Sequence, residues 1–155
     1  PKSGPYVYFN SEGKEIRDTS AGPTGSHGPK HAFPIVVRSP EHPITRGMPG
    51  EWLHARDELY DYLRGPAEKM QVLATAYSAK EKGGSGNHVP MLITVNYGDG
   101  RIFHTPMGHD DAAMRCAGFA TALVRGAEWA ATGKVTLPVP DDFPQADVVS
   151  IRGDD

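Results

Sequence analysis

One residue in five of this 155-residue chain is a glycine or a proline, 18 of the first and 14 of the second. Proline removes a backbone donor and clashes inside a helix, and glycine costs stability there. A chain so rich in both is steered away from helical bundles and toward short elements joined by turns and loops. The breakers also punctuate it. Tyr6–Phe9 (YVYF) reads as a strand, "SEGK" at Ser11–Lys14 as a turn, and Ile16–Arg17 as the start of a return strand. Thr19–Lys30 is a Gly/Ser/Pro-rich loop, and Phe33–Arg38 is a strand stopped by "SPEHP" at Ser39–Pro43.

Further elements follow from hydrophobic spacing. Leu59 and Tyr62–Leu63 stand at i, i+3, i+4, so Asp57–Arg64 is expected to be helical and to end at Gly65-Pro66. Val72–Tyr77 and Met91–Tyr97 read as strands, with Lys80–His88 a flexible loop between them. Tyr97-Gly98-Asp99-Gly100 is a hairpin turn leading into Arg101–Thr105. Phe119, Leu123, Ala127 and Ala130 predict one long helix over Ala112–Thr132, stopped by Gly133. Residues 141–155 read as an acidic, extended tail.

Strands, a hairpin and then a helix suggest the latter part of an α/β layered domain. So few helices leave one sheet face open, and the chain opens on Pro1 rather than Met. The expectation is a C-terminal portion of one domain, preceded by chain that is cleaved or absent from this sequence. Alone, residues 1–155 are expected to need a further segment or a second copy for a stable fold.

Composition narrows the functional classes. A net charge of −3 offers no broad basic field for nucleic acid. No apolar run approaches the roughly 20 residues of a membrane-spanning helix. The lone cysteine, Cys116, allows neither an internal disulfide nor a multi-cysteine metal site. It sits in the helical pattern near Phe119 and Leu123, where a buried apolar role outweighs a nucleophilic one.

Chemistry-bearing residues gather in two stretches. In "FHTPMGHDD" a strand gives way to a helix. Either Asp110 or Asp111 is a natural N-cap, and His109 stands where α/β folds bind ligands. In "WLHARDELYDYL", a helix starting by His54 would put His54 and Glu58 on one face, suited to a metal pair or a carboxylate-oriented imidazole. The alternative there is a solvated helix start capped by Asp57. "GSHGPKH" holds His27 and His31 in a loop, where spacing says little about metal.

"EHPITRGMPGEWLHARDELYDYLRGP", "VLATAYS", "PMLITVNYGDGRIFHTPMGHD" and "RGAEWAATGKVTLPVPDDFP" together resemble the ThuA-like (trehalose utilisation) family over about residues 1–147. The resemblance implies a class I glutamine amidotransferase-like fold, a flavodoxin-like three-layer α/β/α sandwich, present here as its later part. "FHTPMGHD" occupies a place comparable to the catalytic-histidine segment of glutamine amidotransferases. Cys116 matches no nucleophile position, so glutaminase chemistry is not expected.

The resemblance further implies action on a disaccharide or an oxidised (3-keto) sugar, as hydrolase, lyase or isomerase, with metal assistance one form it could take. A non-catalytic sugar-binding or assembly subunit is the alternative. Carried over residue by residue, His109, Asp110, His54 and Glu58 become catalytic candidates, and Asp57, His104 and Trp52 substrate-binding ones. His54, Glu58, His104 and His109 become candidate ligands of a divalent metal such as zinc. His27 and His31 match a similar "GSHG…H" segment. Asp110 is assigned to the site and Asp111 to the helix cap. The implied partners are a small-molecule sugar and either a second copy or the absent N-terminal portion, with neither nucleic acid nor membrane. The compartment, cytoplasmic or exported, is left open.

Overall fold

The computed structural model describes residues 4–65 and 68–153. Pro66, half of the expected Gly65-Pro66 stop, lies outside them. The first hairpin pairs β1 (Tyr6–Phe9) with β2 (Glu15–Asp18). Its turn is held by Asn10, whose side-chain oxygen accepts from the Glu12 and Lys14 amides at 3.0 Å each. β3 (Ser26–His27) lies in the following loop, then come β4 (His31–Val37) and β5 (Glu51–Asp57). β6 (Tyr60–Asp61) pairs with β3 as a separate two-stranded ribbon. β7 (Met70–Tyr77), β8 (His88–Tyr97) and β9 (Gly100–His104) complete the strands.

The main sheet runs β2-β1-β8-β7-β4-β5, with β9 also paired to β8, and every pairing is antiparallel. The chain is therefore a mixed α/β fold with an antiparallel sheet and few helices. This differs from the expected flavodoxin-like sandwich, whose strands would run parallel between two helical layers. The described residues join their strands by hairpins and loops rather than by the helical crossovers that parallel strands need.

One sheet face is covered by α2 (Ala117–Thr132), which packs on β9 and β5. Gly118 and Gly126 allow the close approach. A Cβ at Gly118 would run into the Trp52 ring, and one at Gly126 into Phe103. Phe33, Ile35, Trp52, Leu73, Met91 and Leu92 form the core beneath, none more than 2% exposed. Arg125 on α2 is buried and donates to the carbonyls of Pro43, Ile44, Arg46 and Leu137, tying the 43–46 turn to the helix. Gly133, at φ +76°, closes the helix with a 2.7 Å bond to the Trp129 carbonyl, as its position predicts.

Three expectations need correction. Asp57–Arg64 is not helical: β5 ends at Asp57 and β6 follows at Tyr60. Leu59 is buried and Leu63 is 43% exposed, so they do not share a face. A five-residue apolar pattern was too short to compete with pairing to β4 and β3. The single helix over Ala112–Thr132 is two, α1 (Asp111–Met114) and α2, separated at Cys116, which has extended ψ. The returning chain enters that break: Ser150 accepts from the Ala117 amide, and Arg152 donates to the Arg115 carbonyl. Finally, the described part of the tail, 141–153, is not simply extended. Phe143 is buried edge-on against Trp52, and the Gln145 carbonyl accepts from the Leu53 amide. No described helix is long and apolar enough to cross a membrane.

Candidate functional site

Asp57, the last residue of β5, organises the site. It is fully buried, and its carboxylate accepts four hydrogen bonds. His54 Nε2 stands 2.9 Å from Oδ2, the Gly108 amide donates to Oδ2 at 2.7 Å, and the amides of Glu58 and His109 donate to Oδ1 at 2.8 and 3.1 Å. One buried carboxylate thus clamps the turn after β9 onto the end of β5. Gly108 is suited to that turn: its φ is +94°, and a Cβ would meet the Phe119 ring. Burial alone would raise the Asp57 carboxyl, but the bonds from His54, Gly108, His109 and Glu58 outweigh it, and its pKa is lowered. Burial likewise pushes His54 down, while Asp57 and the neighbouring Cys116 thiol pull it up further, and the net shift is upward.

The next residue in the chain faces the other way. The Glu58 side chain is 12% exposed and sits between two imidazoles that are each 43% exposed. His109 Nδ1 is 3.2 Å and His27 Nε2 3.6 Å from Glu58 Oε2. The Tyr60 hydroxyl donates to the same oxygen at 2.9 Å. His27 reaches this point because β3 pairs with β6, setting His27 opposite Tyr60. Beside the group, Lys30 Nζ bonds Asp110 Oδ2 at 2.9 Å. A carboxylate hydrogen-bonded to a phenol, with two accessible imidazoles within 3.6 Å, brings together groups that can exchange protons with a ligand.

The sequence candidates therefore separate. Glu58 and His109 meet, joined by His27. His54 is fully buried beneath them, bonded to Asp57, and cannot reach a ligand. Asp57 and Trp52 are also fully buried, so neither offers a surface to substrate: Asp57 is a clamp, and Trp52 is core packed against His54 and Phe143. His104 lies on the sheet face opposite α2, in the wall of an apolar cavity, and burial lowers its pKa. His31 bonds its own loop, at the Pro29 carbonyl.

The helix cap is Asp110 rather than Asp111. Asp110 is the N-cap of α1, its Oδ1 accepting from the Ala113 amide at 3.0 Å, and Asp111 is the first helical residue. The Lys30 bond and the cap hold the Asp110 carboxyl at about 2. His54, Glu58, His104 and His109 do not assemble as metal ligands. Among the described residues no three His, Cys, Asp or Glu side chains are placed to hold a metal ion. The sequence motifs singled out neither Lys30 nor Tyr60 as site residues. Glu58 lies between β5 and β6, and its contact with Tyr60 has no periodic signal in the sequence.

The fold and site define an α/β domain with a carboxylate–imidazole centre at the rim of an antiparallel sheet. A family model described as ThuA, trehalose utilisation, matches residues 13–130, and the chain belongs to that family. The crystal structure of a ThuA-like protein from Parabacteroides merdae is 52% identical and superposes with a TM-score of 0.92. The alignment covers 97% of this chain and 56% of that one, so the chain spans little more than half of its relative's length. Among curated proteins, none matches significantly.

Proposed function

We propose that the chain carries the proton-transfer centre of a carbohydrate-processing enzyme acting on a disaccharide or an oxidised (3-keto) sugar. Family membership supports the carbohydrate class. The observation that carries the reaction type is the Glu58 carboxylate, set 3.2 Å from His109 and 3.6 Å from His27. Histidine is the side chain best suited to exchange protons near neutral pH, and a neighbouring carboxylate complements it as base or acid.

A 3-keto sugar gives such a group a defined task. The hydrogen on C2 is acidified by the C3 carbonyl. Glu58, as base, takes that proton and the electron pair forms the enolate. Collapse of the enolate expels the glycosidic oxygen from C1 and leaves a C1–C2 double bond. An imidazole, His109 or His27, supplies the proton that the departing oxygen needs. The flavodoxin-like sandwich and any further partner belong to this proposal for the longer protein, not to the described residues.

Glu58→Gln keeps an acceptor for Tyr60 but removes the base. In the intact protein, turnover of a 3-keto-disaccharide should fall by about 100-fold or more, the range of general acid–base effects. Undiminished turnover would remove Glu58 from the chemistry and favour a sugar-binding subunit.

A further inference from the structure

A pocket of about 260 Å³ opens where the turn after β1 meets the start of β8, and it shares no lining residue with the Glu58 centre. Tyr77, His88 and Phe9 stand level across β7, β8 and β1 and line one part of it. Arg38, the residue after β4, lines another. Its backbone amide donates to the Leu73 carbonyl at 2.7 Å, and its Nε donates to the Thr75 hydroxyl at 2.9 Å. The guanidinium carbon lies over the Phe9 ring, 5.1 Å from its centre. The guanidinium is thus held at one edge and on one face, while Nη1 and Nη2 bond to no described residue.

The polar groups around it are held in the same half-used way. Asn10 Oδ1 is taken by the Glu12 and Lys14 amides, so Nδ2 is the end of that side chain left for a ligand. Asn87 is fixed through its backbone: its amide donates to Ser85 Oγ at 3.3 Å, and its carbonyl accepts from the Ser78 amide at 2.8 Å. Its side-chain amide has no partner among the described residues. His88 Nδ1 is buried and likewise without a partner. A proton there would be a buried donor lacking an acceptor, so the neutral ring carries it on Nε2. Burial and then Arg38 lower the His88 pKa, and Glu51, an exposed residue outside the lining, opposes them without reversing the shift.

We infer that this pocket binds the oxyanion, a carboxylate or a phosphate, of a small ligand, paired to Arg38 Nη1 and Nη2 and supported by Asn10 Nδ2, the Asn87 amide and His88 Nε2. The inference is independent of Glu58. The sign of the ligand follows from the groups present. No described Asp or Glu lines the pocket, and none forms an ion pair with Arg38, whose pKa burial lowers. A neutral ligand would desolvate that charge further and leave it unpaired, which is costly. An oxyanion pairs it, and two oxygens match the two terminal nitrogens of a guanidinium that is already oriented. The volume, just under the usual range for small-molecule sites, suits a compact ligand.

The test titrates the intact, isotope-labelled protein with sodium phosphate and, separately, sodium acetate at constant ionic strength, with sodium chloride as control. Binding is read by NMR at the Arg38 side chain and the His88 ring. At least one oxyanion should shift these signals saturably and bind about tenfold more tightly than chloride, the scale of a charge-assisted pair. Saturation by phosphate alone identifies a phosphate ester as the ligand class, and by acetate alone a carboxylate; saturation by both supports the oxyanion chemistry they share. Arg38→Gln, read at His88, should weaken binding about tenfold or more. Asn87→Ala removes a side chain that bonds nothing described in the fold, and should weaken it about threefold. That second variant keeps the test decisive should Arg38→Gln not fold. Chloride-like behaviour of both salts, or an affinity unchanged in every variant that folds, overturns the site.

Discussion

Asp57 and Glu58 are joined by one peptide bond and have opposite fates. Asp57 points inward to His54 and two amides of the Gly108–His109 turn, fully buried. Glu58 points outward to His109, His27 and Tyr60. Both regions pair carboxylate with imidazole, yet only the second can meet a ligand. The difference shows that residue type does not define a site. A buried carboxylate with every lone pair occupied acts as scaffold, whereas a partly exposed one with accessible neighbours can meet a ligand, and the proposed chemistry is placed there.

The sharpest way to break this comparison is Asp57→Ala. It leaves His54 Nε2 and three amides without their acceptor, and removing one partner of a buried pair costs about 3–5 kcal/mol. Urea unfolding of the intact protein should show a loss of that order, with activity lost alongside because the His109 turn is released. A loss below about 1 kcal/mol, the scale of exposed pairs, would show that the clamp is not the anchor described.

Next comes pH. The Asp57 carboxyl is lowered in the folded state, so its contribution is present above the ordinary carboxylate value and is lost as pH falls through the lowered one. His54 is raised, so its contribution is present below the ordinary imidazole value and is lost as pH rises through the raised one. Relative to His54→Gln, the native protein should therefore lose part of its Tm advantage toward alkaline pH. A constant difference across that range would show that His54 does not titrate with folding.

A smaller effect is expected at the α1 cap. Asp110→Ala should lower Tm and Asp111→Ala should not, since only Asp110 accepts from the Ala113 amide. The Asp110–Lys30 pair should persist on acidification until pH falls from about 3.8 toward about 2, the interval between the ordinary and the folded carboxyl. The smallest effect is at Cys116. Fully buried, it should resist a thiol reagent in the native protein and react only on unfolding. Rapid native-state labelling would place the Cys116–His54 region within reach of solvent.

Legibility in the sequence followed the range of the interactions involved. The β8–β9 hairpin was readable because Gly98 and Gly100 mark its turn locally, and Gly133 marked the end of α2 in the same way. The strand at Phe33–Arg38 was readable from its apolar run. His109 and Glu58 could be named from their motifs, but their meeting depends on Asp57 binding amides 51 and 52 residues away. His27 meets Glu58 only through two-residue strands, too short to leave a periodic signal. The cap at Asp110 rather than Asp111 was a one-residue error in a helix boundary, which sequence seldom fixes more closely. The break at Cys116 depends on Ser150 and Arg152 returning to it.

The central claim is that chemistry resides on the Glu58 side of the peptide bond and scaffolding on the Asp57 side. It is tested most directly by one paired measurement on Glu58→Gln in the intact protein, thermal unfolding together with steady-state turnover of a 3-keto-disaccharide. The account predicts turnover reduced by about 100-fold or more with Tm essentially unchanged, because the glutamine still accepts from Tyr60. Turnover near the native level, or a fall in Tm large enough to explain the lost activity, would contradict it.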